Sequence, residues 1–150
     1  TEVRDLNGNY VRYEYQTILQ GHNRIAPKNI YPKQIEYTLH DSTSGRYVLE
    51  FFLTDNYMNP TTNGRYGFLQ TNDKLLNAIV TKYYEDTTTL YKPIKAYTFC
   101  YKEGMFGKAV LDNVGQIAYS PGYRKDQVNL NFCESPEKLI THSFEYYIQH

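Results

Sequence analysis

At 150 residues the chain has about the length of one ordinary domain and is too short for two. Its 16 Lys and Arg balance 16 Asp and Glu, so it lacks the net field that gathers nucleic acid or an anionic membrane, and no stretch reaches the roughly 18 to 20 unbroken apolar residues of a membrane-spanning helix. With 17 Tyr, 7 Phe and no Trp, it is stocked with rings that bury well but carry a hydroxyl needing a partner, which suits half-wet interiors, strands and pocket walls better than dry cores.

Strict alternation marks the first long segment: Val11, Tyr13, Tyr15, Thr17 and Leu19 share one face, Arg12, Glu14, Gln16 and Ile18 the other, as in a half-buried strand. Residues 21–32 lie between Gly and Pro punctuation and read as an irregular connection. Ile35, Tyr37 and Leu39 then alternate against Gln34, Glu36, Thr38 and His40, and the turn at 41–45 leads into a second run, 46–54, which predicts a hairpin. Residues 59–64 are the most loop-like stretch, followed by a short strand or extended connection at 65–69.

At Asn72-Asp73 the sequence offers helix-cap chemistry, and Leu75, Leu76, Ile79, Val80 and Tyr83 follow at spacings that share a helical face. A single short helix is expected there. Strands resume from Ile94, with turns at Glu103-Gly104, Asp112-Asn113 and 120–122, and the last alternating run covers 139–148. Short strands at regular spacing with one helix predict one domain over residues 1–150: an all-β, mainly antiparallel, calycin or lipocalin-like β-barrel able to hold one small ligand.

Two cysteines, Cys100 and Cys133, each fall in a strand-like run and could meet across a sheet. Two are far fewer than a secreted disulfide scaffold carries, and no Asn-x-Ser/Thr glycosylation acceptor remains once Asn59-Pro60-Thr61 is discounted for its proline, so reduced thiols in a cytoplasmic protein are expected. The histidines at 22, 40, 142 and 150 are scattered without metal-ligand spacing, which points to no metal site. Cys100 or Cys133 with His142 could form a nucleophile and base in space, although both types are more ordinarily wall residues. There is no glycine-rich phosphate loop. Left over are Glu36, Arg46, Glu50 and Arg65, set among tyrosines. Such charges usually face solvent, unless a ligand with carboxylates and protonatable nitrogens compensates their burial.

The run 31–41, Tyr-Pro-Lys-Gln-Ile-Glu-Tyr-Thr-Leu-His-Asp, resembles the tyrosine-glutamine strand of the T-type (CpcT/CpeT-like) phycobiliprotein lyases, which has the form Tyr-x-Glu-Gln-x-Tyr-x-Tyr followed by an acidic turn and a Tyr-Arg strand. Arg46-Tyr47-Val48-Leu49 stands where that strand belongs, and 99–110 is similar to the family's later hairpin with its Phe-x-Gly-x-Val ending. Lys33 replaces the glutamate, the Tyr-Arg order is inverted, the spacing after Gln34 is one residue short, and the family's N-terminal helix and C-terminal Asp-Arg-Gly segment have no counterpart.

The resemblance implies a calycin-type barrel that takes up a linear tetrapyrrole (bilin) as bound substrate and assists its thioether attachment to a cysteine of a phycobiliprotein subunit. On that reading Glu36, Asp41 and Glu50 are the catalytic acids that hold and protonate pyrrole nitrogens. Gln34, Tyr37, Tyr47 and Tyr66 line the ligand, and Arg46 and Arg65 meet its propionates. Gln34, Tyr37, Asp41, Arg46 and Tyr47 sit at matching positions; the others rest on chemistry alone. Two alternatives stay open: a lipocalin-like carrier of another apolar ligand without catalysis, and a non-enzymatic protein-interaction domain. An exposed Tyr and Ile edge would also allow a homodimer.

Overall fold

The computed structural model describes residues 1–19, 27–40, 45–65, 67, 70–84, 91–120, 133 and 138–146. Ten strands form: β1 (Glu2–Arg4), β2 (Asn9–Leu19), β3 (Pro27–His40), β4 (Tyr47–Asp55), β5 (Thr61–Asn63), β6 (Gln70–Asn72), β7 (Lys74–Tyr84), β8 (Tyr91–Glu103), β9 (Ala109–Ala118) and β10 (Lys138–Ser143). Eight of them make one antiparallel sheet in the order β1-β2-β3-β4-β7-β8-β9-β10, and β5 and β6 pair apart from it as a small hairpin. The sheet is a meander interrupted once, where that hairpin is inserted between β4 and β7. β1 and β10 are its edges; among the described residues they are not paired to each other.

The expected helix after Asn72-Asp73 is replaced by β7, the strand between β4 and β8. A spacing of four is also two strand repeats, so Ile79 and Tyr83 share a face in either conformation. The β-branched run Ile79-Val80-Thr81 and the pair Tyr83-Tyr84 favour the strand. Both faces of β7 are at least half buried, which makes it a nearly continuous apolar run in place of a clean alternation.

Three other boundaries differ from the sequence reading. Residues 27–32 extend β3 and are not an irregular connection. Asp112-Asn113 lies inside β9, where Asn113 pairs both Cys100 and Ser143, and forms no turn. The short strands near 59–69 begin at Thr61 and resume at Gln70.

The core lies on one face of the main sheet and is built from the aliphatic residues Ala78, Val80, Ala96 and Ile117, with Phe52 and Tyr119 packed against them. Register carries this face across the strands: Glu50 opposes Val80, Val80 opposes Ala96, and Ala96 opposes Ile117. Tyrosine hydroxyls find backbone partners, as when Tyr101 donates to the Leu76 carbonyl at 3.0 Å. Burial raises that phenol above its ordinary pKa.

Cys100 and Cys133 are joined in a disulfide with Cα atoms 5.6 Å apart, so the expectation of two reduced thiols is corrected. Cys100 is buried on the core face beside Thr98 and Ala96, while Cys133 sits in an exposed turn. The bond ties that turn to the middle of the sheet. Among the described residues no helix is long and apolar enough to cross a membrane.

Candidate functional site

Three tyrosines from three strands stand in register. Tyr37 of β3 opposes Tyr47 of β4, which opposes Tyr83 of β7. Tyr37 and Tyr47 stack with ring centroids 5.3 Å apart and planes 14° from parallel; Tyr47 and Tyr83 lie 5.2 Å apart, tilted by 54°. These are the separations at which aromatic pairs attract beyond simple burial. The row continues onto β8, where Lys92 opposes Tyr83.

At that end the wall turns into a cavity of about 320 Å³, lined by Tyr47, Tyr83, Pro93, Ile94 and Tyr119 with Lys92 alongside. Its shape follows from proline chemistry. Pro93 has no N–H to give the ladder, and the register shifts here: Lys82 opposes Pro93, but Thr81 opposes Lys95. Ile94 is left as the extra residue, its carbonyl accepting from Tyr119 N at 2.9 Å. That bond carries the β8–β9 pairing one residue past Ala118 and brings Tyr119 to the cavity lining.

Strand alternation divides the sequence-predicted site between two faces. Glu36 and Tyr37 are neighbours on β3 and therefore point to opposite sides. Gln34, Glu36 and Glu50 share the core face, since Gln34 opposes Glu50 and Glu36 opposes Val48. Tyr37 and Tyr47 lie on the other. Arg46 is an exposed residue just before β4; its N–H donates to Thr38 Oγ1 at 3.2 Å and its carbonyl accepts from Tyr84 N at 2.7 Å. Arg65 is exposed between β5 and β6, far along the chain from the ladder strands. Asp41 and Tyr66 lie outside the described residues.

The two acids on the core face have structural partners. Glu36 is buried; its Oε1 accepts from the Gly45 backbone N–H at 3.1 Å and its Oε2 lies 3.4 Å from Arg12 Nη1. Gly45 is required by space: a Cβ there would sit 2.5 Å from the Tyr37 carbonyl oxygen and 2.9 Å from Glu36 Cγ. Beside it Thr38, at φ 65°, is the extra residue of a bulge that brings Leu39 onto the buried side, where it opposes Tyr10. Glu50 is ion-paired with Lys82 of β7, whose ammonium also lies 5.5 Å from the centroid of the Phe52 ring. Carboxylates held in this way are already engaged by cations and an amide.

A second, larger cleft of about 750 Å³ lies where β8 turns into β9, lined by Lys102, Glu103, Met105, Val110, Glu145 and Tyr146. It presents one ring and a charged rim, against three registered rings in the ladder. Among the described residues no group of three or more His, Cys, Asp and Glu is placed to hold a metal ion.

No protein-family model matches the chain. No curated protein matches it either. A solved structure does. A chain of the Photorhabdus luminescens Tc holotoxin pore carrying the TccC3-D651A mutation has a TM-score of 0.55 to this fold, at 12% identity over 75% of the present chain. The match spans 7% of that much longer chain. At such identity the likeness is one of fold alone, and none of the comparisons bears on a T-type lyase.

Sequence reasoning named Tyr37 and Tyr47 and missed the rest of this site, Tyr83, Pro93, Ile94 and Tyr119. Tyr83 was assigned to a helix face, and Tyr119 stood next to a turn signal; only strand register could have joined either to Tyr47.

Proposed function

We propose that this chain is a non-catalytic binding module that takes a flat, apolar ring compound against the Tyr37–Tyr47–Tyr83 row and the adjoining cavity. The observation that carries this reading is the registered tyrosine row ending in a concave space walled by Pro93, Ile94 and Tyr119. A volume of about 320 Å³ is at the small end of the roughly 300 to 1,000 Å³ usual for ligand sites, which suits one or two fused rings. Of the three acids named as catalytic, Glu36 and Glu50 sit on the face opposite the row in ion pairs, and Asp41 lies outside the described residues.

The pigment-lyase reading requires more than this cavity. A four-ring bilin needs a larger hollow, such as a calycin-type barrel closed between β1 and β10. Eight antiparallel strands in near-sequential order are the number and arrangement such closure uses. The cytoplasmic expectation rested on free thiols; the Cys100–Cys133 bond instead supports residence in an oxidising compartment.

The test uses 8-anilino-1-naphthalenesulfonate, whose emission rises when its rings leave water. Native chain is expected to enhance it, Tyr83→Thr to abolish the enhancement with an unchanged circular dichroism spectrum, and Tyr57→Thr, at an exposed position, to leave it intact. Equal enhancement in the Tyr83 variant would overturn the reading. In a parallel titration, a red-shifted and sharpened biliverdin band would favour the pigment reading over the smaller ligand.

A further inference from the structure

The β5–β6 hairpin is held against the first half of β3 by uncharged side chains. Gln70 Nε2 donates to Asn29 Oδ1 at 2.9 Å, Asn29 Nδ2 donates to the Tyr31 hydroxyl at 3.0 Å and to the Thr71 carbonyl at 3.1 Å, and the Tyr31 hydroxyl donates to Asn72 Oδ1 at 3.0 Å. This chain of bonds fixes which end of each amide points where. Behind it lies a pocket of about 320 Å³ lined by Asn29, Tyr31, Thr61, Asn63, Gln70 and Asn72.

Every lining side chain carries a polar group, and none is a carboxylate, ammonium, guanidinium or imidazole. After the internal bonds are made, the Asn72 and Asn63 amide N–H groups, the Gln70 amide oxygen and the Thr61 hydroxyl keep hydrogen-bonding capacity among the described residues; Asn63 Oδ1 is taken by Arg65 N at 3.0 Å. A cation or anion would find no opposite charge here. An apolar guest would leave these groups desolvated and unpaired. A molecule whose own groups each both donate and accept satisfies them all.

We infer that this pocket binds a neutral carbohydrate, one or two sugar rings held through vicinal hydroxyls, at a site separate from and independent of the tyrosine row. Neighbouring hydroxyls on a sugar present paired donors and acceptors at the spacing of side-chain amides, and Tyr31 supplies the one ring that sugar C–H groups can pack on. Water competes for each of these bonds, so dissociation constants on the order of 1 mM are expected for a single sugar.

Saturation-transfer NMR on the intact chain tests this with glucose, galactose, mannose and N-acetylglucosamine, and with glucose 6-phosphate as a charged control. Transfer to the ring protons of at least one neutral sugar is expected, unchanged by added salt. Asn63→Ala, which leaves the Gln70–Asn29–Tyr31–Asn72 bonds in place, should weaken binding about fivefold, as should Gln70→Ala, the loss of one hydrogen bond. Tyr83→Thr should leave it unaltered, which separates this site from the ring-binding cavity. No transfer to any of the four sugars, transfer that persists at full strength in both pocket variants with circular dichroism unchanged, or transfer only to the phosphorylated sugar would overturn the assignment.

Discussion

Lys82 offers a quantitative test of how the sheet is held. Its side chain is 5% exposed and is ion-paired with Glu50, which is 27% exposed, across the β4–β7 ladder. Removing one member of a buried pair commonly costs about 3 to 5 kcal/mol, because the remaining charge stays out of water. In Lys82→Met the stranded carboxylate keeps about a quarter of its surface in solvent, so the cost falls to about 2 to 3 kcal/mol, or about 5 to 10 °C in Tm for a chain of this size. Glu50→Leu leaves the more deeply buried ammonium without that carboxylate and should cost more, about 3 to 4 kcal/mol. The double variant Lys82→Met with Glu50→Leu replaces both charges by apolar groups and is expected within about 1 kcal/mol of the parent. Urea unfolding of all four proteins, followed by far-ultraviolet circular dichroism, closes the cycle. Single variants as stable as the parent, or a double variant whose loss equals the sum of the two, would refute the argument that burial makes this pair interdependent.

Three further outcomes follow from the same geometry. Thr98 is fully buried and its hydroxyl has no hydrogen-bond partner among the described residues, so Thr98→Val should raise stability by about 1 kcal/mol in the same urea assay, where a loss would show that the hydroxyl is satisfied after all. The disulfide closes a loop with a sequence separation of 33; chain entropy assigns it about 3 to 4 kcal/mol, so Cys100→Ser with Cys133→Ser should unfold at correspondingly lower urea, and a thiol assay on the denatured, unreduced parent should read zero. Lys102 and Asn113 both donate to Asp112, at 2.8 and 3.0 Å, which lowers its pKa below the ordinary carboxylate value. A depressed folded-state pKa stabilises above the unfolded value and is lost as pH falls through the folded one, so Asp112→Asn should be less stable than the parent near about pH 6 and equal to it by about pH 2. A difference that does not change with pH would assign the effect to packing.

Much of the strand content could be read from alternation. Val11 to Leu19 shows the period directly, Ile35 to Tyr37 shows it only as far as the bulge at Thr38, which moves Leu39 off the face expected for it, and β4 follows its turn as a hairpin partner should. Reading failed where one pattern served two conformations. In β7 a spacing of four suits helix and strand alike, and a central strand with both faces packed has no polar side to reveal its period. Asp112-Asn113 has turn chemistry, yet β9 is held on both sides by β8 and β10, which keeps it extended. For the site, residue types were legible but faces were not. Glu36 and Tyr37 differ by one position, and that single step separates an ion-paired structural acid from a ligand wall. The amide pocket was invisible because its members come from two short strands and the first half of β3, whose association no local pattern announces. The disulfide was misjudged by counting cysteines; Cys133 reaches Cys100 from a turn and not from the strand its sequence suggested.

The central claim is that ring compounds seat on the tyrosine row and in the cavity beside it. Intermolecular nuclear Overhauser effects between bound 8-anilino-1-naphthalenesulfonate and the isotopically labelled chain read this directly. Cross-peaks from the naphthalene protons to the rings of Tyr47, Tyr83 and Tyr119 are the expected result. Cross-peaks confined to Met105, Val110 and Tyr146 would place the guest in the cleft at the β8–β9 turn and contradict the account.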